Sequence, residues 1–119
     1  MAIPSRILSA GNSPLATVSI AGDGAVGLVA VGSTIADALQ LSAVWNTITT
    51  SSASTGVILP PTEAGAMIGI RNDSGNTITI YPKSGSTINA AASTLTVATA
   101  KTVILFATSA TTWASVLTA

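Results

Sequence analysis

The clearest signal along the chain is apolar and polar side chains alternating with a period of two. Ile68 and Ile70 alternate with Gly69 and Arg71, and Ile78 and Ile80 alternate with Thr77 and Thr79. This is the pattern of strands with one face in a core and the other in water. Between the two runs, Asn72-Asp73-Ser74-Gly75-Asn76 concentrates turn-forming residues, so the pair reads as a β-hairpin with one apolar face. Other runs rich in Val, Ile and Thr, punctuated by Gly, Asn, Asp and Pro, predict strands near 16–20, 26–31, 43–49, 94–98, 102–107 and 112–117. Val103-Ile104-Leu105-Phe106 is continuously apolar and suits a strand covered on both faces, which places Phe106 in the core, and Trp113 is expected there too. Short strands at this spacing predict an all-β fold: an antiparallel β-sandwich or barrel-like domain of about eight strands over residues 15–119.

The first fourteen residues, MAIPSRILSAGNSP, hold no period and carry Pro4, Gly11 and Pro14. They read as an extended N-terminal arm, residues 1–14. Its Ile3, Ile7 and Leu8 need burial, either on their own domain or on another subunit. Residues 34–42 fit two patterns. Thr34-x-x-Asp37 resembles a capping box ahead of a helical face of Ile35, Ala38, Leu39 and Ser42, yet Leu39 and Leu41 also alternate as in a strand. Ala, Ser and Thr recur throughout without the fixed period that marks a solenoid.

Composition narrows the function more than the fold. A chain of 119 residues fits one domain, and folding at this size removes roughly two-thirds of the surface from water. The absence of His and Cys excludes a thiolate nucleophile, an imidazole base, a Ser-His-Asp triad and a Cys/His zinc site. Charged residues make up 7% of the sequence, against about 25% in ordinary globular proteins. Most of the surface must therefore be neutral, and a neutral surface is easily buried against neighbours. Four basic residues balance four acidic ones, so no basic stripe exists for phosphates and neither nucleic acid nor a membrane surface is an expected partner. Mean hydropathy is +0.66, but no run approaches the roughly 18 apolar residues of a membrane span. Residues 1–20 lack the apolar stretch of a signal peptide.

Two constellations invite a chemical reading. Gly22-Asp23-Gly24-Ala25-Val26-Gly27 spells G-x-G-x-x-G, which in a dinucleotide fold opens a helix onto a pyrophosphate. Here Leu28-Val29-Ala30-Val31-Gly32 follows, rich in β-branched residues, and no acid stands about 20 positions on to hold a ribose. The segment reads as a Gly-rich hairpin turn. The carboxylates Asp23, Asp37, Glu63 and Asp73 each fit a turn, a cap or a loop, and glycoside hydrolysis would require two of them to face each other across a cleft. The chain is therefore not expected to be an enzyme, and no catalytic, cofactor-binding or metal-ligating residue is assigned. Of the aromatic residues, Trp45 beside Asn46 and Tyr81 before Pro82 are expected to be partly exposed. With Ile3, Ile7 and Leu8 they form the set of candidate interface residues.

The second half of the chain carries an ordered set of short motifs. These are Gly56-Val57-Ile58-Leu59-Pro60, then Gly65-Ala66-Met67-Ile68-Gly69-Ile70-Arg71-Asn72, then Ile78-Thr79-Ile80-Tyr81-Pro82 with Gly85 and Ile88-Asn89, and finally Trp113. Together they resemble a pattern in small virion structural proteins of tailed bacteriophages, most like capsid decoration (cement) proteins. The resemblance implies a β-rich protein made in the host bacterial cytoplasm and placed on the outer surface of the capsid. It would associate with itself, commonly as a trimer, and bind the major capsid protein to stabilise the shell. The same modules are similar to parts of tail fibres and spikes, which implies the alternative of a receptor-binding or adhesin module recognising surface glycans.

Overall fold

The computed structural model describes residues 2–90 and 93–118. Two short helices, α1 (Ile3–Ser9) and α2 (Pro14–Ala21), precede the strands. These are β1 (Gly24–Val29), β2 (Leu39–Gln40), β3 (Trp45–Thr50), β4 (Gly56–Ile58), β5 (Met67–Asn72), β6 (Ile78–Tyr81), β7 (Thr87–Ile88), β8 (Leu95–Val97), β9 (Thr102–Ala107) and β10 (Thr112–Leu117). One sheet has the order β1-β3-β5-β9-β10-β7 and the other β2-β4-β6-β8. The protein is mostly β, as the alternation predicts. Its connectivity is not that of an antiparallel sandwich or barrel.

β1 pairs with β3, and β3 with β5, in parallel; β2, β4 and β6 repeat the parallel pairing in the second sheet. From β1 to β6 the chain alternates between the two sheets at every step, making three passes, each lying on the last. This stacking is solenoid-like. It ends in antiparallel pairings of β8 with β6, β9 with β5 and β10 with β9. The expected hairpin of residues 68–80 is therefore a corner: β5 and β6 belong to different sheets, and Asn72–Asn76 carries the chain between them. The buried Asn72 makes that corner. Its amide donates to the carbonyls of Asn76 at 2.9 Å and Val97 at 2.8 Å, and its Oδ1 accepts from the Ser74 N–H and hydroxyl.

The core lies between the sheets. Leu39, Val57, Ile80 and Leu95 stand in register across the four-stranded sheet. Ile48, Ile70, Val103 and Trp113 reach the same core from the six-stranded one. Fully removing each such side chain from water contributes about 1.5–3 kcal/mol. The run at 103–106 is not covered on both faces. Val103, Leu105 and Ala107 are buried, whereas Ile104 and Phe106 point out at 37% and 41% exposure, so Phe106 is not core. Trp113 is.

The N-terminal segment is helical rather than extended, and the strand expected at 16–20 is part of α2. Pro14 is the first residue of α2, where a missing N–H costs no hydrogen bond. Ser13 caps the helix by accepting from the Ala16 N–H at 3.1 Å. Prolines that suggest a broken arm in the sequence thus act as helix starts. Residues 34–42 form neither a helix nor one strand. Asp37 Oδ1 accepts from the Ser33 N–H and from the N–H and hydroxyl of Thr34, closing a turn that leads into the short β2. The glycines at 22–27 do not make a hairpin. Gly22 (φ 77°) ends α2, and Gly27 (φ 72°) lies where β1 shifts register against β3.

Candidate interaction surface

Because side chains alternate across a strand, an apolar residue of the wrong parity faces out. The six-stranded sheet has several. Trp45 is the register partner of Gly69, Gly69 of Ile104, and Ile104 of Val116, so these positions form one row across four strands of its outer face. A second row runs Met67, Phe106, Ala114. Trp45, Met67 and Val116 are 41%, 48% and 61% exposed. Arg71 stands on the same face and is ion-paired with Asp73 at 2.6 Å.

Trp45 is held in place by what lies beneath it. Its indole covers Gly69, where a β-carbon would overlap the ring. The neighbouring Asn46 points inward and donates to the Ala43 carbonyl at 2.9 Å and the Gly69 carbonyl at 3.2 Å, tying β3 to β5. Beside the indole is a groove of about 250 Å³ between Val18, Ile20 and Ala21 of α2 and Trp45 and Met67 of the sheet. Through it the sheet face continues onto the helices.

The helices bring the second apolar element. Leu15, Ile20, Ile3 and Leu8 are 76%, 68%, 63% and 44% exposed, and Thr17 is the only buried residue of either helix. A helix apolar on every side is normally an interior one. An open hollow of about 460 Å³ between Ile3, Arg6, Ile7, Ala10 and Asn12 adds to this surface.

Of the five candidate interface residues, Ile3 and Leu8 are exposed on α1, Ile7 is half-buried beside them, and Trp45 is on the sheet face. Tyr81 lies apart from them, on the four-stranded sheet, where its ring covers Gly56 and its hydroxyl donates to the Ser33 carbonyl at 2.8 Å. Leu15, Ile20, Met67, Ile104 and Val116 lie outside that candidate set. The signal for the strand residues was the second parity of an apolar strand.

The three aspartates are occupied structurally, and Glu63 is exposed in the loop before β5. Asp23 Oδ1 accepts from the Val44 N–H at 2.8 Å, where the chain enters β3, and Asp73 pairs with Arg71. The Thr34 hydroxyl and the backbone N–H groups around it hold the Asp37 carboxyl below its ordinary value. Among the described residues no three His, Cys, Asp or Glu side chains gather as a metal site would need, and no helix is long and apolar enough to cross a membrane. In the groove beside Trp45, Ser19 supplies the only polar side chain other than the indole N–H. Sugar recognition by stacking needs several convergent polar groups as well as a ring.

No protein family and no curated protein matches this chain.

Proposed function

We propose that this protein is a structural component of a bacteriophage particle: a capsid decoration protein whose copies associate, as trimers, and lie on the outer surface of the shell against the major capsid protein. The observation that carries the reading is the extent of neutral apolar exterior, from Leu15 and Ile20 on α2 to Trp45, Ile104 and Val116 on the sheet. Covering such a surface removes apolar area from water, and contiguous apolar patches of this kind mark interaction sites. Many individually weak contacts repeated over a lattice then hold a shell together through multivalency.

The motifs that resemble phage virion proteins fall on positions the fold depends on. Leu59, Ile68, Ile70, Asn72, Ile78, Ile80, Ile88 and Trp113 are all buried, and Gly56 lies under the Tyr81 ring. The likeness therefore speaks for a shared architecture, to which the exterior adds the binding role. The glycan-binding alternative draws on the open ring of Trp45 and is disfavoured by the scarcity of polar groups around it.

The test is a particle reconstruction of the phage that carries the gene. Copies in numbers matching the capsid lattice are expected. A few copies at one vertex mark a tail component, and binding to a glycan array in the absence of shells marks an adhesin; either result overturns the proposal.

A further inference from the structure

We propose that a second copy of this chain covers the outer face of the six-stranded sheet, with the exposed flank of α2 extending the same interface. The inference rests on the self-association stated above and names its surface.

Size is the first argument. With Trp45, Met67, Ile104, Phe106 and Val116 between 37% and 61% exposed, the sheet face shows roughly 450 Å² of apolar side chain, given full side-chain areas of ~150–250 Å². Leu15, Val18 and Ile20 of α2 add roughly 300 Å² on the same scale, and the groove beside Trp45 makes the two regions continuous. The combined surface exceeds the largest patch of a typical monomer, about 300–600 Å². It comes close to the ~800 Å² that each partner gives to an interface of standard size.

Chemistry selects the occupant. Rows of Trp, Ile and Val, and of Met, Phe and Ala, offer a partner no charge to recognise, and the Arg71 on this face is already neutralised by Asp73. The fitting counter-surface is equally neutral and apolar, and every copy carries one, since only 7% of its residues are charged. Within one copy α2 leaves Ile104 and Val116 uncovered. A neighbour related by rotation can bury them and close the assembly.

Sedimentation equilibrium of the free full-length protein, without shells, tests this. The wild type is expected at a multiple of 11.6 kDa. Phe106→Lys and Val116→Lys are expected at the monomer mass with unchanged circular dichroism and cooperative melting. Thr96→Lys, on an exposed position of the other sheet, should remain associated. Tryptophan emission should shift to the red in the two monomeric variants, because Trp45 becomes wet while Trp113 stays buried. Should Phe106→Lys fail to fold, Val116→Lys decides, its side chain being the more exposed. A monomeric wild type, folded variants that stay associated, or dissociation by Thr96→Lys as well would each overturn the proposal. Wild-type oligomers that ignore empty shells would support this interface and overturn the decoration role; monomers that bind shells would do the reverse.

Discussion

The indole of Trp45 lies over Gly69, its register partner in the adjacent parallel strand. Glycine normally weakens a strand by roughly 0.5–1 kcal/mol relative to Ala, yet here the missing side chain is the seat of the ring. Gly69→Ala is expected to destabilise the protein by about 1–3 kcal/mol, since the indole must leave its seat. In a Trp45→Ala background the same change should become neutral or stabilising. Urea unfolding of the four proteins in this cycle measures the sign reversal; equal effects in both backgrounds would show that the ring is not what excludes a methyl at Gly69.

Asn72 serves the corner between β5 and β6 through four hydrogen bonds. Asn72→Leu should cost roughly 3 kcal/mol, because it removes all four bonds at once and takes from the buried Ser74 N–H its acceptor, while the Ser74 hydroxyl keeps Ser51 and the Asn76 carbonyl. Chemical denaturation reads the loss directly, and a change under about 0.5 kcal/mol, the size of an ordinary surface substitution, would mean that the corner does not depend on this side chain.

The two tryptophans should differ in what their truncation costs. Trp113 is buried, and its Nε1 donates to the Thr62 hydroxyl at 3.0 Å. That hydroxyl in turn donates to Ser86 at 2.7 Å. Trp113→Ala is expected to cost about 3–5 kcal/mol in the folded domain. Trp45→Ala, measured on dissociated protein, should cost clearly less, since much of that ring is already in water.

Asp37 gives the fold a weak acid sensitivity. Its carboxyl titrates below the ordinary value of 3.8 because the Thr34 hydroxyl and nearby backbone N–H groups bind the ionised form. A depressed folded-state value means that the stabilisation is present above the unfolded value and is lost as pH falls through the folded one. Asp37→Asn should therefore lower the melting temperature at neutral pH, and the gap to wild type should narrow below pH 3.8. A gap that stays constant down to the lowest pH at which both proteins fold would show that the charge contributes nothing to the turn.

Strand existence was legible because parity is a local property. The limits of β9 and β10 follow directly from the residues, and β3, β5 and β6 nearly so. Pairing was not legible, because a corner and a hairpin use the same turn residues, and Asn72–Asn76 fits either. The parallel stacking was hidden as well. Gly24, Trp45 and Gly69 lie in one row, as do Leu39, Val57 and Ile80, but the steps between them are unequal, so no fixed period appears in the sequence. The helices are hidden because Pro4 and Pro14 look like breaks in the sequence, whereas proline in a first turn is a start. For the surface, Trp45 stood out by its size. Ile104 and Phe106 did not, because a strand apolar at both parities looks the same whether its second face meets its own chain or a stranger's.

A stack of parallel strands is by nature open-ended, and an uncovered terminal strand invites runaway fibril growth. At that end the six-stranded sheet terminates in β1, neutral and with no strand on its far side among the described residues, and the four-stranded sheet in the two-residue β2. The shift in the register of β1 around Gly27 interrupts the regular ladder that an incoming strand would copy. In a protein with almost no charge to repel its own kind, a kinked edge in one sheet and a two-residue edge in the other leave little regular backbone for amyloid-like polymerisation to extend.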